Sequence, residues 1–139
     1  IESIDCRPIR EGNDWIIAYL INKNAVKVAI DGAGNQNILE EDMKNAGVKC
    51  KAVLPKVSEI IEANALFEKK LFSGNICHNN QPALTQIVSN CEHRAIGSGG
   101  GFGYTSILEG ADVSLLESVT LAHWLCSNAK EVKKQRINY

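Results

Sequence analysis

Between Val26 and Phe72 the apolar residues change period three times, and this alternation constrains the fold more than any other feature of the chain. Val26-Lys27-Val28-Ala29-Ile30 is a short apolar run of strand length that ends at Asp31. From about Asn35 to Ala46, Ile38, Leu39 and Met43 share one helical face, and Gly47 is placed as a C′ residue. Val48 to Leu54 is strand-like again, and Pro55 stops it. Val57, Ile60, Ile61, Leu66, Phe67 and Leu71 then repeat at helical spacing from Val57 to Phe72, with Gly74 as the terminator. Strands that alternate with helices argue for a parallel α/β sheet with right-handed crossovers.

The flanking segments complete a helix-first pattern. Asn13-Asp14 offers a cap for a short apolar helix over Trp15–Ile21. Ile76-Cys77-His78 has the composition of a short strand, and Pro82 suits the first turn of a helix through Val88. Cys91–Ile96 and Gly103–Leu108 read as two strands flanking a mobile, glycine-rich hairpin tip. Asp112 then opens an apolar helix, and Lys130–Arg136 forms a basic tail. No repeat or linker divides the chain, so residues 1–139 are expected to form a single domain. At 45% hydrophobic residues it has enough apolar material for one core.

Several classes are disfavoured. No apolar run approaches the roughly 20 residues of a membrane span. The five cysteines are odd in number and contain no CxxC pair, which favours reduced, mostly buried thiols in a cytosolic protein over zinc or a disulfide scaffold. A net charge of −1 means that a nucleic-acid partner needs a local basic patch. The opening Ile1 and the lack of a signal-peptide pattern suggest a piece of a longer polypeptide.

The chemistry concentrates on two aspartates. Asp31 stands at the carboxyl end of a strand, where open α/β sheets place their ligands. Asp112 stands at a helix start that can be aimed at the same crevice. Two carboxylates there would call for a divalent cation. Each also has a plainer explanation as a cap or turn residue. Asp31-Gly32-Ala33-Gly34 is neither a Walker A loop nor a full GxGxxG motif. Glu117, five residues beyond Asp112, is expected off its face. The histidines lack ligand spacing, and the serines lack a nucleophile-elbow context.

With these residues in place, the chain resembles the C-terminal nuclease domain of tailed-phage terminase large subunits. The resemblance rests on Val28-Ala29-Ile30-Asp31 followed by a glycine turn and Leu39, on Leu71-Phe72-Ser73-Gly74-Asn75-Ile76-Cys77-His78, on Asn80-Gln81-Pro82-Ala83-Leu84 and Ser89-Asn90, and on Gly110-Ala111-Asp112. It implies a ribonuclease-H-like mixed sheet flanked by helices, truncated at its N-terminus. It also implies a metal-dependent endonuclease that cuts concatemeric double-stranded DNA by two-metal hydrolysis with Mg²⁺ or Mn²⁺. Asp31 and Asp112 would be metal-binding and catalytic residues. Gly99, Gly100, Phe102 and Tyr104 of the hairpin, with Lys133 and Lys134 of the tail, would contact DNA.

In that family the first catalytic aspartate lies on an opening strand, whereas the residues ahead of the Asp31 strand look helical here. An incomplete metal site that cuts poorly or not at all in this piece alone is therefore expected. The parent chain would meet a terminase small subunit and a portal protein in the cytoplasm of a bacterial host. The alternatives are a non-catalytic α/β interaction domain, with the aspartates as caps, and a small nucleotide-binding module.

Overall fold

The computed structural model describes residues 1–129; the basic tail, with Lys133 and Lys134, lies outside the described residues. The helices and strands follow in the order α1 (Asp14–Asn22), β1 (Lys27–Ala29), α2 (Gln36–Asn45), β2 (Lys51–Val53), α3 (Val57–Phe72), α4 (Pro82–Ser89), β3 (Cys91–Ile96), β4 (Gly101–Ser106) and α5 (Ser114–Ser127). The fold is α/β, with a parallel pair β1–β2 and a separate antiparallel hairpin β3–β4. No helix among the described residues is long and apolar enough to cross a membrane.

The parallel pair runs in the register Lys27↔Lys51, Val28↔Ala52, Ala29↔Val53. Successive strand residues point to opposite faces. Val28, Ile30, Ala52 and Leu54 accordingly pack with Leu20 and Met43 beneath α1 and α2. Ala29 and Val53 turn the other way, onto Ala63, Leu121 and Trp124 of α3 and α5. Both faces are covered, as a parallel sheet requires. A third cluster joins the hairpin to the helices through Phe67, Leu84, Tyr104, Leu116 and Val119.

The ends of α2 and α3 are set by glycine. Gly47 and Gly74 adopt φ of 73° and 70°. Beyond α2, Gly47 N–H donates to Lys44 O and Val48 N–H to Met43 O. Beyond α3, Gly74 N–H donates to Leu71 O and Asn75 N–H to Lys70 O. Both are Schellman endings, which satisfy carbonyls the helix leaves open. At the start of α3, Glu59 reaches back to accept the Lys56 N–H at 2.7 Å.

Four expectations need correction. Ile76-Cys77-His78 is not a strand. Instead, Cys77 O accepts from the Ile1 nitrogen, and the Gln81 amide exchanges two 2.7 Å hydrogen bonds with the Ser3 backbone. With Asn80 at φ 54°, this stretch turns before a ladder can form. β4 begins at Gly101, because Gly101 and Phe102 already pair with Ile96 and Ala95. α5 begins at Ser114, so Asp112 precedes it. All five cysteines are unpaired, but Cys6, Cys77 and Cys126 are exposed rather than buried.

The strands of the hairpin are anchored on α3. A Cβ on Gly101 would stand 2.6 Å from Ile61 Cδ1, so only glycine permits β4 to approach α3 this closely. Asn64, 3% exposed, donates from Nδ2 to Phe102 O at 2.9 Å. Glu68 Oε1 accepts from the Tyr104 hydroxyl and lies 2.6 Å from His93 Nε2. The turn Gly97–Gly100 and Glu92, His93, Arg94 and Ala95 of β3 are exposed, whereas β4 is buried or half-buried along its whole length.

Candidate functional site

The chain leaves β1 beside its partner strand: Ile30 N–H still donates to Val53 O at 2.9 Å. Ile30 is buried, and the next residue, Asp31, emerges at the carboxyl edge of the pair. Its Oδ1 accepts the Gly32 N–H at 2.8 Å. Asp31 borders a cavity of about 210 Å³ whose other walls include Asn64 of α3, Arg94 and Gly103 of the hairpin, and Glu117 and Thr120 of α5. This crevice lies where open α/β sheets bind ligands.

Glu117 is the residue that sequence reasoning missed. It occupies the first turn of α5, positioned by its buried neighbours Leu116 and Thr120, whose Oγ1 donates to Glu117 O at 2.9 Å. Burial raises the Glu117 pKa above its ordinary value of 4.5; Arg94 opposes that rise, while Asp31 and Asp112 add to it. Both aspartates sensed from sequence thus act electrostatically on this one glutamate.

Asp112 has a different role in the local backbone. Its Oδ1 accepts from Ser114 N–H at 2.8 Å and from the Ser114 hydroxyl, an Asx turn that leads into α5. These two bonds hold its pKa below the usual carboxylate range. Asp112 lines a second cavity of about 260 Å³, with Gln86, Ile87 and Asn90 of the α4 region and Ser106 of β4. Asp31 and Asp112 therefore border neighbouring cavities rather than one.

The proposed DNA-contact residues separate by exposure. Gly99 and Gly100 stand at the exposed turn. Phe102 is half-buried and stacks on His93, with ring centroids 3.9 Å apart. Tyr104 is 4% exposed, inside the core, and burial first and Glu68 second raise its pKa. A ring so placed stacks on protein rather than on a base.

An ionised Glu117 is a liability to the fold. Its folded-state pKa is raised, so the unfavourable contribution is present above that value and disappears as pH falls through the folded pKa towards 4.5. Glu117→Gln is expected to raise the thermal midpoint by a few degrees at pH 7. The advantage should shrink towards zero near pH 4, as measured by calorimetry across that range. A midpoint lowered at pH 7 would mean that the Arg94 contact outweighs the burial.

Fold and cavity together define a mixed α/β protein with a carboxylate-bordered crevice at the carboxyl end of a parallel strand. Comparison with protein-family models, with curated proteins and with solved structures finds no match for this chain.

Proposed function

We propose that the chain is the C-terminal part of the nuclease domain of a tailed-phage terminase large subunit, with a truncated ribonuclease-H-like fold. Its reaction is the metal-dependent cutting of concatemeric double-stranded DNA. The observation that carries this reading is the approach of Asp31, from a strand end, and Glu117, from a helix start, to one solvent-reached cavity. Carboxylate oxygens suit Mg²⁺ or Mn²⁺, and a hard cation of this kind keeps several waters while using only one or two protein carboxylates. Among the described residues, no three His, Cys, Asp or Glu side chains are grouped closely enough to enclose an ion. The donor set fits a hydrated ion and not an all-protein cage.

Asp31 and Glu117 would hold that ion, with Asp112 contributing negative charge from the neighbouring cavity. When bound, such ions polarise a phosphodiester and lower the pKa of an attacking water. The protein's own part is positional. β1 fixes the Asp31 backbone, the packing of α5 fixes Glu117, and Asn64 holds the hairpin wall by its bond to Phe102 O. Double-stranded DNA would approach past the Gly99–Gly100 turn, with Lys133 and Lys134 as further phosphate contacts. In the parent chain, the small subunit and portal would be partners in the bacterial cytoplasm.

A second reading, a non-catalytic α/β interaction domain, draws on the local turn that Asp112 makes with Ser114. Titration with Mn²⁺, followed by the loss of the free-ion resonance signal, separates the two. The nuclease reading expects Asp31→Asn to weaken Mn²⁺ binding by at least about tenfold, the scale on which perturbing a metal site acts. Equal binding by the variant and the parent sequence would overturn it in favour of the scaffold.

A further inference from the structure

Arg94 lies in the middle of β3, and three neighbours decide where its guanidinium goes. Its cross-strand partner is Gly103. A Cβ on Gly103 would stand 3.3 Å from Arg94 Cζ, so the missing side chain lets the guanidinium lie across the hairpin. Nε then donates to Tyr104 O at 3.1 Å, which fixes the plane of the group. Nη2 comes within 3.8 Å of Glu117 Oε1, at the cavity that Asp31 also borders.

That separation is a charge contact and not a hydrogen bond. Glu117 Oε1 therefore keeps its lone pairs for another partner. Among the described residues lining this cavity, Arg94 is the cation, and Asn64 and Thr120 are the neutral polar groups. Its position is built by backbone and glycine rather than by a tight carboxylate pair, so it stays in place whether or not the carboxylates are occupied.

We propose that Arg94 is the resident counter-cation of this cavity, a guanidinium beside Glu117 that competes with a divalent ion for that carboxylate and so limits how tightly the ion is held in the cavity that Asp31 also borders. The inference rests on the carboxylate-site reading above. A divalent ion entering the cavity meets a fixed positive charge on the wall, and the repulsion lowers its affinity. The same charge spares the empty site from the full mutual repulsion of its acidic groups.

The test is Mn²⁺ affinity, measured by magnetic resonance on the intact chain for the parent sequence, Arg94→Gln, Arg94→Lys and Asp31→Asn. Arg94→Gln removes the charge and keeps a long polar side chain on an exposed strand position. It is expected to bind Mn²⁺ about tenfold more tightly, as loss of one nearby positive charge allows. Arg94→Lys, which retains the charge, is expected to stay close to the parent affinity. Unchanged or weaker binding by Arg94→Gln, with binding by the parent sequence still lost in Asp31→Asn, would overturn the proposal and leave the cation site standing. Equal tightening in both Arg94 variants would also overturn it, because space and not charge would then be the cause. If neither the parent sequence nor Arg94→Gln binds Mn²⁺ better than Asp31→Asn does, the cation site itself falls and the proposal with it.

Discussion

Leu116→Ala is expected to cost about 3 kcal/mol of folding free energy, within the range for a fully buried leucine. Leu116 is 1% exposed and sits, with Val119, in the cluster that joins α5 to Phe67, Leu84 and Tyr104. Truncation removes its transfer energy and leaves a cavity that helices on two sides cannot close. For a domain whose total stability is about 5–15 kcal/mol, this is a large fraction. Urea unfolding should show a lower midpoint with an unchanged slope, and the thermal midpoint should fall by roughly 10 °C. A loss below about 1 kcal/mol would mean that α5 is not seated as described. Since Glu117 follows Leu116 directly, the same substitution should loosen the cavity carboxylate as well as the core.

The second large effect concerns Asp112. Asparagine retains the side-chain oxygen that accepts from Ser114, so Asp112→Asn should preserve the start of α5 while removing the charge. If the proposed nuclease reading holds, DNA cleavage by the parent chain should fall by up to about 10²-fold, the upper scale for losing a group that supports a metal site from outside its ligands. Circular dichroism should remain that of the parent sequence. Full cleavage by the variant would leave Asp112 as a local turn residue alone and would count against the nuclease assignment.

Local signals account well for much of the fold. The helical repeat of Val57–Phe72 matches α3, and Pro82 marks the first residue of α4. The apolar runs before Asp31 and Pro55 became the two strands of the parallel pair, although shortened to three residues each. The site was only half legible. From Asp112, Glu117 is about 140° around a continuous helix, which points it away. The helix begins at Ser114, however, so that angle does not apply to Asp112 at all. Arg94 was not legible because its direction depends on Gly103 and Tyr104 O, groups brought beside it by strand pairing. Ile76–His78 misled because its apolar character serves packing near the core while its backbone bonds lead to the start of the chain.

The register of β1 and β2 has an electrical consequence. Because the strands are parallel their amino ends coincide, and the exposed Lys27 and Lys51 stand side by side there. Asp31 stands beyond the opposite end, about 13 Å away at ordinary strand rise. That distance exceeds the screening length of about 8 Å at physiological ionic strength, so the two ends present their signs to solvent separately. On the proposed reading, a polyanion would meet less repulsion at the lysine end than at the acidic end, a bias that would act before any contact forms. It can settle over the acidic end only once that charge is offset.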